Sequence, residues 1–287
     1  MSEPAAVQAS CCIVSYDNPP AQIERVLGSL SGSCPGMLVH LVDNSRSDRL
    51  RAVAERHGAA YRHQPHNPGF GSAHNWALRE AARAGSRFHF VLNPDVQFDP
   101  AAVSELLGYM LEHDDIGMLA PRVHYPDGRL QPLCKLLPHP VELALRRFAP
   151  VLYRCSGRLA RYELHGSGYD KVMEVPALSA CFLLLRVETV LRVGMFDERF
   201  FLYFEDVDLS RRVQAVARTV YVPSVCIVHE YAKGSYKSWR LLGHHIVSAV
   251  RYFNKWGWWR DPERQRLNAR ALRAVAGVRR VRQTATL

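Results

Sequence analysis

Between residues 11 and 112 short apolar runs alternate with stretches of helical period, and no other feature constrains the fold as strongly. Cys11-Cys12-Ile13-Val14-Ser15-Tyr16 reads as a strand that ends in the turn formers Asp17-Asn18-Pro19-Pro20. Ile23, Val26, Leu27 and Leu30 then recur at i, i+3, i+4 and i+7, the spacing of one buried helix face. The rhythm continues with a strand over Met37 to Val42, a helix over Asp48 to His57 closed by Gly58, and a strand over Ala59 to His63. A helix over Ala73 to Ala84, the strand Phe88 to Leu92 and a helix over Ala101 to Glu112 follow. The pattern predicts an α/β domain with a mainly parallel central sheet covered by helices on both faces. Ligands of such sheets bind beyond the carboxyl ends of the strands.

Past Ile116 the rhythm changes. Tyr125-Pro126-Asp127-Gly128 is a turn signal joining two antiparallel segments. Residues 132 to 170 are rich in Pro and Arg and poorly periodic, which suggests an insertion carrying variable contacts. Regular structure resumes with a strand over Leu178 to Arg186, a short helix over Val187 to Val193 stopped by Gly194, and a strand over Val225 to Val228. The expected organisation is a loose tail over 1–10, one domain over 11–235 and a basic, aromatic helical extension over 236–287.

With 287 residues, 48% of them hydrophobic and 22% charged, the chain can bury a large core, and disorder or a fibre is excluded. The N-terminus lacks the basic and apolar regions of a secretory signal, and no apolar run reaches the roughly 18 residues of a membrane span, so a cytoplasmic location is expected. Seven scattered cysteines without a Cys-x-x-Cys pair read as reduced and structural; Cys11, Cys181 and Cys226 fall in apolar runs.

The net charge of +10 is uneven: eight arginines against Asp261 and Glu263 give residues 260–287 a charge of +6. Trp256, Trp258 and Trp259 precede that stretch, and Arg146-Arg147-Phe148-Ala149-Pro150-Val151-Leu152-Tyr153-Arg154 mixes cations and apolar groups in the same way. Such mixtures suit an anionic membrane surface, giving a peripheral attachment; a solvated basic face is the plainer reading. No nucleic-acid-binding motif accompanies the charge, so a nucleic-acid partner is not expected.

Five polar clusters could carry chemistry. Phe200-Phe201-Leu202-Tyr203-Phe204-Glu205-Asp206-Val207-Asp208 sets three carboxylates after four aromatics, surroundings that raise a carboxyl pKa and suit a proton acceptor. Asp43-Asn44-Ser45, at a strand end, can bond a base or a ribose, although it is also a common turn. Asn67-Pro68-Gly69-Phe70-Gly71-Ser72-Ala73-His74-Asn75 opens a helix whose first N–H groups favour phosphate. It is not a dinucleotide fingerprint, because His74 occupies the third glycine's place and the loop follows the third strand. Asn93-Pro94-Asp95 can hold a divalent cation together with substrate phosphates, and His229 follows the last strand.

In order, Val14-Ser15-Tyr16, Val42-Asp43-Asn44, Asn67 to Gly71, Asn93-Pro94-Asp95, Gly194-Met195-Phe196-Asp197-Glu198, Glu205-Asp206-Val207-Asp208-Leu209 and His229 resemble the inverting family-2 glycosyltransferases of the GT-A fold. Tyr252-Phe253-Asn254-Lys255-Trp256-Gly257-Trp258 is similar to the tail of their rhamnosyltransferase branch, which builds bacterial surface polysaccharides. The resemblance implies that 11–115 is the nucleotide-binding half of the domain and 116–235 its acceptor-binding half, that Asp206 is the general base and that Glu205 positions the acceptor sugar. Asp43 would accept from the pyrimidine, with Ser15, Tyr16, Asn44, Asn67, Gly69, Gly71, His74, Asn75 and Asn93 completing the nucleotide-sugar pocket. Asp95 and His229 would hold Mg²⁺ or Mn²⁺, with Asn93 in place of the first carboxylate of the usual Asp-x-Asp and therefore less negative charge at the metal. Asp208 reads as structural, a surface i, i+4 partner of Arg212 worth about 0.3–0.5 kcal/mol. The implied reaction is transfer of a sugar, L-rhamnose from dTDP-L-rhamnose, to a lipid-linked or lipopolysaccharide-core saccharide at the cytoplasmic face of the inner membrane. The alternatives are a UDP-hexose transferase of the same fold and a non-catalytic sugar-nucleotide or polysaccharide-binding protein.

Overall fold

The computed structural model describes residues 9–230 and 238–285. Strands β1 (Ala9–Ser15), β2 (Leu38–Asp43), β3 (Ala60–His63) and β4 (Phe88–Leu92) alternate with helices α1 (Pro20–Leu30), α2 (Arg51–Arg56) and α3 (Phe70–Arg83), as the periodicity predicts. The short β5 (Val96–Gln97), α4 (Ala101–Glu112) and the long β6 (Ile116–His124) follow. Residues 132–170 are less irregular than expected: α5 (Pro140–Phe148), α6 (Pro150–Cys155) and α7 (Arg158–Tyr162) are each no longer than about two and a half turns, too short for a period to show in sequence. Then come β7 (Met173–Glu174), β8 (Phe182–Arg186), α8 (Val187–Arg192), α9 (Glu205–Val213), β9 (Arg218–His229), α10 (Trp239–Trp256) and α11 (Pro262–Ala285).

One sheet runs in the order β3-β2-β1-β4-β8-β6-β9-β5, with β7 beside β9. The β3-β2-β1-β4 half is parallel, β8 is antiparallel to both its neighbours, and β6 and β9 are parallel to each other. Alternation along β1 builds two cores: Cys11 and Ile13 face α1 and α4, whereas Cys12 and Val14 face α3. Two expected strands differ in extent. Only residues 182–186 of the apolar run 178–186 pair as a strand, and β9 begins at Arg218 rather than Val225. Pro223 conceals the longer strand: it lies where the β6–β9 register shifts, between Pro121↔Val222 and Arg122↔Cys226, and a strand proline is tolerated at such an irregularity. All seven cysteines are free thiols, but Cys226 is exposed, not the small core hydrophobe its run suggests.

The C-terminal helices pack on the body. Tyr252 and Phe253 of α10 join Phe200 and Phe204 in one buried cluster, and Leu267 of α11 packs with Leu137 and Ala177. Arg211, 2% exposed, donates to both Asp261 oxygens (2.7 and 2.6 Å) and to Glu263 (2.9 Å), with its guanidinium 4.0 Å from the Trp256 ring. Trp256 and the acidic residues at the head of the basic tail are therefore engaged in holding α9, leaving Trp259 as the most exposed of the three tryptophans.

Candidate active site

Register brings the polar clusters to one edge. Ser15 is paired with Asp43 and Asp43 with His63, while Leu92 lies opposite Ile13, so Asn93 to Asp95 begin level with the end of β1. Ser15 Oγ donates to Asn18 Oδ1 (3.1 Å), and Tyr16 is exposed beside it. Asp43 is fully buried and accepts from Tyr61 Oη (2.9 Å) and Ser45 N (3.0 Å); Asn44 is buried with its side-chain oxygen lacking a hydrogen bond.

The loop that opens α3 packs against the segment between α8 and α9. Gly69 N is taken by Asn67 Oδ1 (3.2 Å) and Phe70 N by Phe201 O (3.0 Å), so two of the donors expected to meet phosphate are already occupied. A Cβ on Gly69 (φ +97°) would lie 2.5 Å from Phe201 O, and one on Gly71 would lie 3.0 Å from Phe196 Cβ. Both glycines are thus required by the close approach of the segment between α8 and α9. Asn75 exchanges hydrogen bonds with the Phe196 backbone (2.8 and 2.9 Å) and donates to Glu198 (2.9 Å). His74 is wholly buried against Phe70 and Phe196, ring centroids 4.4 and 5.9 Å away, and burial lowers its pKa to about 3. Asn67, Gly69, Gly71, His74 and Asn75 therefore fasten the acidic segment against α3. Glu198, receiving Asn75, Arg79 and Ser72, and Asp197, receiving Arg199 and Lys255, complete the clamp, and both carboxyls are held below the usual range.

That clamp delivers the carboxylates. Tyr203 and Phe204 both adopt left-handed backbone conformations (φ 69° and 68°), which turn the chain abruptly into α9 at a cost of about 1–2 kcal/mol each. Asp206, half-buried in the first turn, accepts from Val207 N (2.8 Å) and Ala180 N (3.3 Å). Desolvation raises its pKa, opposed by the positive charge of Lys135. Glu205 is buried with one carboxyl oxygen lacking a hydrogen bond, and burial and the neighbouring Asp206 push its pKa well up. Asp208 is a correction: it is completely buried rather than at the surface, receiving Arg212 Nε (2.8 Å), Trp256 Nε1 (2.8 Å) and Lys255 Nζ (2.6 Å).

Asp95 and His229 converge from β4 and β9, Oδ1 and Nε2 being 3.3 Å apart. Gln131 Oε1 lies 2.8 Å from His229 Nδ1, a contact that orients the ring with Nε2 on the Asp95 side. Two ligand atoms at adjacent positions of an octahedral divalent ion stand about 3 Å apart, so this pair fits a cation completed by substrate oxygens. Among the described residues no group of three such side chains forms a metal cluster. The segment 178–181 ties the two carboxylate sites together: Asn93 N donates to Cys181 O (2.9 Å) and Ala180 N to Asp206. Lys135 and Gln131 had no sequence signal, since each is a lone polar residue in an aperiodic stretch.

Residues 10–158 match the model of glycosyl transferase family 2. The chain is 30% identical over 282 residues to an N-acetylglucosaminyl-diphospho-decaprenol L-rhamnosyltransferase of Mycobacterium tuberculosis (strain CDC 1551 / Oshkosh), covering 93% of this chain and 91% of the relative. It is 25% identical to rhamnosyltransferase WbbL of Escherichia coli (strain K12) over 80% of this chain and 87% of that protein. Among solved structures, mannosyltransferase PcManGT of Pyrobaculum calidifontis with GDP-Man and Mn²⁺ superposes with a TM-score of 0.56 at 16% identity, over 97% of this chain and 79% of that one. GalNAc-T7 with UDP, GalNAc and Mn²⁺ gives 0.57 at 13% identity, over 80% and 45%. At these identities the superpositions establish the fold.

Proposed function

The chain belongs to glycosyl transferase family 2 and is a glycosyltransferase of GT-A fold, and from that premise we propose that it is an inverting rhamnosyltransferase. The donor is dTDP-L-rhamnose and the acceptor a lipid-linked saccharide, a reading supported by the 30% identity to a rhamnosyltransferase along nearly the whole chain. The observation that carries the chemistry is a base-like carboxylate, Asp206, tied through residues 180–181 to the Asp95–His229 pair.

Asp206 takes the proton of the acceptor hydroxyl as that oxygen bonds to the anomeric carbon from the face opposite the nucleotide. The bond from that carbon to the donor diphosphate breaks, and its electron pair leaves with dTDP. Glu205, with an unbonded oxygen, orients an acceptor hydroxyl. Asp95 and His229 would hold a Mg²⁺ or Mn²⁺, which would supply positive charge against the diphosphate. Ser15, Tyr16, Asp43, Asn44 and Asn93, at the strand ends, bind the nucleotide sugar.

Such an acceptor brings the enzyme to a membrane surface. No described helix is long and apolar enough to cross one. Contact instead falls to Phe148, Val151 and Leu152, the exposed apolar groups that follow Arg146 and Arg147. Phe148→Ser with Leu152→Ser should abolish co-sedimentation with anionic vesicles; undiminished pelleting would place the contact elsewhere.

The reaction is tested by following nucleoside diphosphate release from dTDP-L-rhamnose and from UDP-hexoses. Cation-dependent release of dTDP that stops on chelation is expected. Faster release of UDP would reassign the donor, and no release from any donor would leave a binding protein.

A further inference from the structure

Three cations have no part in that scheme, and one of them, Lys135, bears on the proposed base. Lys135 bridges Ala177 through both backbone hydrogen bonds (3.0 Å each), on the segment that continues to Ala180 and its bond to Asp206. Its neighbours Cys134 and Leu136 are buried, so alternation along extended chain turns the half-buried Lys135 to the opposite side. Helix α5 forms the adjoining wall. Its Leu143 packs on the Phe200–Phe204–Tyr252–Phe253 cluster, and Arg146 lies 5.4 Å from the Tyr162 ring. Against the same Phe204 packs His245 of α10, ring centroids 5.3 Å apart. Burial and then the charges of Arg146, Arg147 and Lys135 lower the His245 pKa to about 4, which puts all three cations within electrostatic reach of one ring. Immediately beyond Arg147 come Phe148, Val151 and Leu152, exposed by 83%, 67% and 64%. Glu142, the acidic residue of α5, accepts from Arg158 at 2.8 Å.

Lys135 thus links the carboxylate to Arg146 and Arg147, and the exposed Phe148, Val151 and Leu152 adjoin those arginines in the chain. We propose that Lys135, Arg146 and Arg147 form a subsite for the diphosphate joining the acceptor sugar to its lipid. The sugar extends inward to Glu205 and Asp206, and the first isoprene units lie over Phe148, Val151 and Leu152. This rests on the lipid-linked acceptor proposed above and gives it a place on the protein. A diphosphate diester carries two negative charges, and guanidinium groups match its oxygens bidentately. The donor diphosphate has a different anchor, the Asp95–His229 pair across residues 180–181.

The test is calorimetric titration of farnesyl diphosphate, inorganic diphosphate and dTDP into the full chain, into Lys135→Ala and into the Arg146→Gln, Arg147→Gln double variant. Unchanged melting temperatures establish that each variant is folded, and the two sets test the subsite from different elements. The wild type should bind farnesyl diphosphate more tightly than inorganic diphosphate, and each variant should weaken farnesyl diphosphate about tenfold to a hundredfold while dTDP stays within twofold. Three results overturn the subsite: no farnesyl diphosphate binding by the wild type, equal binding by the variants, or a matching loss for dTDP, which would give the cations to the donor. Failure of the rhamnosyl reading registers separately, as absent dTDP release from dTDP-L-rhamnose with prenyl diphosphate binding intact.

Discussion

Asp206 and Asp208 are two positions apart on one helix, yet their surroundings give them opposite uses. Asp208 is enclosed by Arg212, Lys255 and Trp256, whereas Asp206 receives two backbone N–H groups and feels Lys135 at a distance. Asp206→Asn should keep the melting temperature within about 2 °C and lower the transfer rate by about 10²–10⁴, the usual worth of a general base. Residual turnover near wild type would remove it from that role. Because desolvation raises its pKa, the acid limb of kcat/KM should lie above the ordinary carboxylate range, with activity lost as pH falls through it. Lys135→Ala should move that limb further up, since a nearby positive charge that favours the carboxylate is removed. A limb that stays put would show that another group controls it.

At the scale of elements, the α3 entry and the α8–α9 segment form one device. Phe201 O accepts from Phe70 N directly over Gly69, and Asn75 fastens Phe196 from the next turn. Gly69→Ala places a Cβ against a backbone carbonyl that is already bonded, at a φ that alanine resists. Urea denaturation should show a loss of about 2–4 kcal/mol, combining overpacking with left-handed strain. A loss under about 0.5 kcal/mol would mean that the segment yields, and the clamp reading would fall. Activity of the folded fraction should drop too, because the displaced segment carries Glu205 and Asp206 at its end.

For the whole molecule, buried histidines beneath α3 set an acid limit. His74 and His89 are neutral in the folded state, burial being the main cause, with pKa values about 3 and well below normal. Below about pH 6.5 the unfolded chain binds protons at these sites that the folded chain does not, so stability falls as pH falls. For His74 alone this amounts to about 2 kcal/mol at pH 5. Urea midpoints should drop between pH 7 and pH 5, and less so in His74→Leu. Equal slopes would show that His74 is not the linked group. Glu205, with its raised pKa, acts in the opposite sense as pH rises, so the comparison of variant with wild type isolates the histidine.

The parallel half of the sheet, α1, α3 and α4 and the strand-end position of Ser15, Asp43 and Asp95 were legible in the residues, because periods of 2 and 3.6 depend only on local burial. Short or interrupted elements were not: α5 to α7 span too few turns, and Pro223 masks the length of β9. Nor did the loop from Asn67 to Asn75 disclose its packing partners. Its glycines fit a phosphate cradle by local rules, and only the close passage of Phe196 and Phe201 shows that they also serve packing. Sequence by itself determined which chemical groups are present and on which strand ends they stand, since both follow from covalent order and local period. Tertiary structure alone decided that Asp208 is buried support while Asp206 is only half-buried, and that the charge of Lys135 bears on it. Burial and charge proximity are properties of residues far apart in the chain, and local pattern carries no record of them.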